Sequence, residues 1–290
     1  MKRIPFFPAL AVLIIFSMIM ACKTTPPAEE TLSAKTDETQ PGTERTAPVD
    51  LYVLSIGINE YSTDLFPNLK YAVNDAKNIC EIFKAQEGKV FRNVNTMLIA
   101  DNEETKPTKD NILSNLDFFK NVRPNDAMII FIASHRIILD DMLYIMSSDS
   151  GYFDDGLFKL ETFVNMNEIL MPLFMPAQKI IILDTSAPEI AIGRNFTVLR
   201  ACKEDEQAIE KNIYDGGLLT TSILEAFEKV EAKSGAITLD DLFGYVVTRV
   251  AEMSDNKQTP VLNAATGAGE LIMGLKLKLT DIGIDISSSN

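Results

Sequence analysis

The sequence is short of the residues on which much enzyme chemistry depends. It has one histidine, three cysteines and no tryptophan in 290 residues. A single histidine excludes a multi-histidine metal centre, and three cysteines do not make a disulfide framework. Positive charge is scarce as well: 27 lysines and arginines face 41 acidic residues, for a net charge of −14. Such a chain is not drawn to phosphate backbones or anionic lipid surfaces, so no nucleic-acid partner is expected. No internal repeat of fixed period is found, no EF-hand spacing supports a calcium site, and no metal or other cofactor is expected.

What remains is an ordinary globular mixture, 46% hydrophobic and 23% charged, enough for a sizeable core. The N-terminus departs from it. Lys2 and Arg3 precede an apolar stretch, residues 6–21, "FFPALAVLIIFSMIMA". It is shorter than the ~20 residues a membrane-spanning helix needs, and Pro8 interrupts it. It ends in "IMAC", which resembles a bacterial lipoprotein lipobox, in which the cysteine, here Cys22, becomes lipidated and N-terminal. The resemblance implies a signal peptide over 1–21, membrane attachment through Cys22, and a globular domain in the periplasm or at the surface of a bacterial cell envelope. An ordinary secretory signal and an uncleaved anchor are the alternatives. Residues 22–49 are rich in Pro, Thr and Glu and lack aromatics, which predicts a disordered tether. Cys80 and Cys202 could pair outside the cytoplasm or be two separately buried thiols.

From residue 50 the pattern changes. Near-continuous apolar runs at 51–58, 94–100, 126–134, 179–183 and 196–202 read as strands covered on both faces. A short strand is expected at 141–149 and extended segments at 258–264 and 270–277. Helical spacing marks 69–86, with Leu69, Val73, Ala76, Ile79 and Phe83 on one face, and further helices near 165–174 and 216–230. Thr108 is placed to cap a helix running to about Val122, and Thr238 one running to about Met253. Alternating strands and helices predict an α/β fold with a mostly parallel sheet. In such sheets function gathers at the C-terminal strand ends. Those ends carry Asn59, then Ser134-His135, then Asp184-Thr185-Ser186, so the one histidine and Ser186 are expected on the same rim.

The ordered blocks "YVLSIGINEY", "LKYAVNDAKNI", "RPNDAMIIFIASHR", "LYIMSSDS", "KIIILDTSAPE", "VLRACKEDEQAIE", "GGLLTTSILEAF" and "QTPVL" resemble a caspase-like cysteine peptidase of the bacterial and metacaspase type. The resemblance implies a caspase-like three-layer sandwich over about 50–280, followed by a tail at 281–290. It also implies a Cys–His dyad, in which a thiolate attacks a peptide carbonyl. His135 falls on the histidine and Ser186 on the cysteine. Asp184 falls on an aspartate that in metacaspases helps receive a basic side chain, with Asp149 and Arg136 as further substrate-side positions.

The chain departs from that pattern around the dyad. A hydroxyl cannot use the depressed pKa that gives cysteine a standing thiolate. It needs a base to take its proton during attack. The glycines flanking the family's histidine are replaced by Ser134 and Arg136, and the His-Ser-Gly after the nucleophile by Ala187-Pro188-Glu189. Ser186 can therefore be the degenerate position of an inactive pseudopeptidase, a working nucleophile with His135, or a polar turn residue. The expectation is a membrane-tethered pseudopeptidase that binds a peptide or protein partner. The alternative is an active endopeptidase using Ser186 and His135, preferring Lys or Arg. Asp154 and Asp155 mark either a turn or part of a pocket for a basic side chain. The acidic stretch 203–211 lies where related peptidases carry a mobile loop.

Overall fold

The computed structural model describes residues 49–64, 66–153, 156–187, 196–232 and 234–286. The signal-like segment, Cys22, the tether as far as residue 48, Asp154, Asp155, Pro188, Glu189 and the last four residues lie outside the described residues. In chain order the elements are β1 (Leu51–Gly57), α1 (Ala72–Lys84), β2 (Val94–Ala100), α2 (Lys109–Ser114), β3 (Ala127–Ala133), β4 (Arg136–Leu139), β5 (Met142–Ile145), β6 (Val164–Asn165) and α3 (Met166–Leu170). They continue with β7 (Gln178–Ser186), β8 (Phe196–Cys202), β9 (Glu210–Lys211), β10 (Gly216–Gly217), α4 (Leu218–Lys229), β11 (Ile237–Thr238), α5 (Leu239–Ser254), β12 (Val261–Asn263) and β13 (Ile272–Gly274).

Six strands form one sheet in the order β12-β8-β7-β3-β1-β2. Its neighbours are parallel except at one edge, where β12 runs antiparallel to β8. Because side chains alternate along a strand, each apolar run supplies two cores. Val53, Phe131, Ile182 and Leu199 face one way, against Ile79 and Phe83 of α1, Ile223 and Phe227 of α4, and Val246 of α5. Leu54, Ile56, Ile130, Ile132, Ile181 and Leu183 face the other, against Ile112, Phe119, Ile169 and Leu173. Two buried faces explain why these strands read as unbroken hydrophobic runs. They also make the molecule a three-layer α/β sandwich. Gly57 lets α1 come close: a Cβ there would lie 2.3 Å from the Ala72 carbonyl oxygen.

Capping follows the expected residues. Thr108 Oγ1 accepts from Asn111 N at 3.3 Å. Thr238 and Asp241 form a reciprocal capping box at the start of α5. The helix after Thr108 is shorter than its periodicity predicts, and from Asn115 to Asn121 the chain tightens into a 3-10 helix. The Ser114 and Asn115 side chains both donate to the Asn111 carbonyl, competing with the backbone ladder at that turn. The sequence pattern also missed a strand. β4 pairs with β5 across a tight turn in which Asp140 and Asp141 both have positive φ, 49° and 61°, a geometry more often signalled by Asn-Gly. Cys80 and Cys202 are unpaired and buried.

Sheet register brings the polar ends together. Gly57 is level with Ala133, and Ala133 with Asp184. The chain therefore leaves β3 through Ser134 and His135 at the height where β7 ends in Asp184, Thr185 and Ser186.

Candidate active site

At this rim lies a cavity of about 560 Å³ with His135, Arg136, Asp184 and Ser186 among its lining residues. His135 is held from three sides. Its backbone N–H donates to the Tyr61 hydroxyl at 2.8 Å, and that hydroxyl donates to the Ile58 carbonyl at 3.0 Å. Burial pushes the Tyr61 pKa above its usual value, so the hydroxyl keeps its proton for that bond. The imidazole packs against the rings of Tyr61 and Phe66, with centroids 5.0 and 5.5 Å away. Its Nε2 lies 2.7 Å from the Pro67 carbonyl oxygen. A carbonyl can only accept, so Nε2 carries a proton and Nδ1 is the nitrogen left to act as a base in the neutral ring.

Ser186 is bound by a different neighbour. Arg136 Nε donates to the Ser186 carbonyl at 2.8 Å, and its Nη2 donates to Ser186 Oγ at 2.7 Å and to the Glu204 carbonyl at 3.4 Å. β4 starts at Arg136, which pairs with Ile145, so the guanidinium is presented from a hydrogen-bonded hairpin. An arginine cannot accept a proton. The contact therefore occupies an Oγ lone pair without supplying the base that a serine nucleophile needs. No hydrogen bond joins His135 to Ser186 among the described residues.

The inner end of the cavity is acidic. Asp75 is 3% exposed on the buried stripe of α1 and accepts from Gly217 N at 2.9 Å. Asp184 accepts from Thr220 Oγ1 at 2.7 Å. A Cβ on Gly217 would lie 2.8 Å from Asp184 and 3.1 Å from Asp75, so only glycine lets the backbone pass between the two carboxylates. Glu210 is level with Gly217 across the β9–β10 pair, and its carboxylate accepts from Lys70 N and Tyr71 N, each at 3.1 Å. Burial raises the Asp75 pKa well above the usual carboxylate range, and the Asp184 charge raises it further. Burial, with Glu210 adding to it, raises Asp184 to about 6.

The structure thus brings together His135, Arg136, Asp184 and Ser186 from the sequence-based set, but leaves Asp149 elsewhere. Asp149 is exposed and accepts from Lys109 N at 2.9 Å, at the start of α2. It does not line the rim cavity. A carboxylate beside the first-turn amides of a helix is satisfied there. Asp75, Glu204, Asp205, Glu206 and Glu210 also line the cavity, and sequence reading did not place them in the site. Asp75 had a signal: a carboxylate on the same helical stripe as Ala72, Ala76 and Ile79. The 203–211 stretch is anchored, with Glu206 accepting from Thr259 N at 2.6 Å and from Thr259 Oγ1 at 2.8 Å.

A mostly parallel sheet sandwiched by helices, with its histidine and an acidic cavity at one rim, defines a caspase-like α/β protein. The caspase-domain model of peptidase family C14 matches residues 51–271, and the chain belongs to that family. Among solved structures it is similar to protein GSU0716 from Geobacter sulfurreducens, with a TM-score of 0.58 and 10% identity, covering 80% of this chain and 100% of that one. That likeness concerns the fold alone. No curated protein matches the sequence.

Proposed function

We propose that this is a pseudopeptidase of the caspase family that binds a peptide or protein partner through a basic side chain and does not cleave it. One observation carries the reading: Ser186 Oγ is held by Arg136 at 2.7 Å, and among the described residues no hydrogen bond joins it to His135, whose Nδ1 is the nitrogen able to act as a base. Among the described residues the hydroxyl therefore has no general base in contact with it. The other end of the cavity supports the choice of ligand. A lysine or arginine side chain would relieve the repulsion among buried Asp75 and half-buried Asp184 and Glu210. In this reading Cys22 carries the lipid, residues 22–49 tether the domain to a bacterial envelope membrane, and the cavity is presented in the periplasm or at the cell surface.

The test is turnover of a pooled fluorogenic peptide library by the natural chain, by Ser186→Ala and by Ser186→Cys. The expected result is no turnover by the natural chain and saturable binding of Lys- or Arg-containing peptides. Cleavage by the natural chain that disappears in Ser186→Ala would establish the alternative, a serine-type endopeptidase using Ser186 and His135. Membrane attachment is tested separately: the natural chain fractionates with membranes and Cys22→Ser does not.

A further inference from the structure

The cavity is bipolar, and this narrows the ligand. At one end lie the carboxyl groups of Asp75, Asp184 and Glu210, ready to meet a cation; Asp75 is 3% exposed and gives only one oxygen to Gly217 N. At the rim stands Arg136, the one Lys or Arg side chain among the described lining residues. Its bonds to the Ser186 carbonyl, Ser186 Oγ and the Glu204 carbonyl use Nε and Nη2. Nη1 takes part in none of them, and a guanidinium has more N–H donors than these bonds use. A fixed guanidinium with donors unused among the described residues, beside a hydroxyl that can also donate, is a fork suited to a carboxylate.

We infer that the preferred ligand is a peptide ending in C-terminal lysine or arginine, its side chain among Asp75, Asp184 and Glu210 and its terminal carboxylate on Arg136 and Ser186. This deepens the proposed function and rests on it. An internal lysine or arginine would place a neutral amide against Arg136, leaving its charge unmet by the ligand. A free C-terminus supplies the complementary charge. Glu204, Asp205 and Glu206 also line the cavity and repel that carboxylate; its direct contact with Arg136 is what offsets them. Such a ligand is the product of cleavage after a basic residue. The reaction that supplies it is therefore a trypsin-like hydrolysis by another protein, and this chain would read the new chain end.

The experiment compares two fluorescein-labelled tetrapeptides ending in arginine, one the free acid and one the C-terminal amide. Binding to the full chain is followed by fluorescence polarisation. The acid is expected to bind at least about tenfold more tightly than the amide. Arg136→Gln should bring the acid's affinity down to that of the amide while both peptides still bind saturably, a pattern that loss of folding would not give. Asp184→Asn should weaken both peptides. Equal or tighter binding of the amide overturns this inference and leaves the peptide-binding function standing. Binding of neither peptide overturns both.

Discussion

Neutralising one carboxylate of the buried pair should make the protein more stable and should erase most of a pH dependence. Asp184 has a folded pKa of about 6 against 3.8 for an ordinary aspartate, first because of burial and then because of Glu210. A carboxyl raised in the folded state holds its proton more tightly there than in the unfolded chain. Stability is therefore greatest below the unfolded value and falls as pH rises from about 4 to about 6. At about 1.36 kcal/mol per pKa unit, the rise from 3.8 to about 6 costs the fold about 3 kcal/mol once both states are ionised. Asp184→Asn removes that cost and keeps an oxygen able to accept from Thr220 Oγ1. With a urea m-value of about 3 kcal/mol/M, the midpoint of the variant at pH 7.5 should exceed that of the natural chain by up to about 1 M. The two should converge only below the unfolded value of 3.8, near pH ~3. Asp75 and Asp101 are also raised by burial and keep the same sign of dependence in both proteins, so the difference between the two curves is the quantity to read. Asp50 and Asp126, held low by Arg92 and Arg123, act in the opposite direction, and only as pH falls through their depressed values. A natural-chain midpoint that is flat or rising between pH 4.5 and 7, or an Asn variant no more stable at pH 7.5, would refute the account of the buried pair.

Three further outcomes follow from the packing. Gly57→Ala should destabilise the fold by about 1–3 kcal/mol in urea titration, because its Cβ would meet the Ala72 carbonyl at 2.3 Å and α1 must move. Thr238→Ala should cost about 1 kcal/mol by leaving Asp241 N, now 3.1 Å from Thr238 Oγ1, without its cap; an unchanged midpoint would mean the box adds nothing. In a Cys22→Ser chain, Cys80 and Cys202, buried and each pushed up to about 12, should resist Ellman's reagent at pH 8 until urea unfolds the protein.

Much of the architecture was legible because its causes are local. β2 and β8 lie where their apolar runs end, at 94–100 and 196–202. Thr108 and Thr238 cap the helices they precede. β4 escaped notice because it has only four residues and turns on Asp140-Asp141. The rim itself was readable, since parallel strands of similar length deliver Ser134-His135 and Asp184-Thr185-Ser186 to one edge. The role of Arg136 was half-readable: its presence beside the histidine is a sequence fact, but its hold on Ser186, 50 residues away, depends on how the β4–β5 hairpin leaves the sheet.

The sequence alone determined the alternation of two-sided apolar strands with helices, because hydrophobic periodicity follows from how strand and helix backbones aim successive side chains. It also determined that a hydroxyl and an arginine stand where the family resemblance leads one to expect a thiol and a glycine. Only the tertiary structure decided which charges are buried. Asp75 shares a helical stripe with Ala72, Ala76 and Ile79, and Asp149 stands among serines, but neither setting identifies the distant partner it meets. One meets Gly217, 142 residues away, inside the protein, and the other meets Lys109 at its surface. Burial, and with it pKa and ligand preference, depends on which distant segment packs over a side chain, and the residue's own neighbourhood in the chain does not encode that.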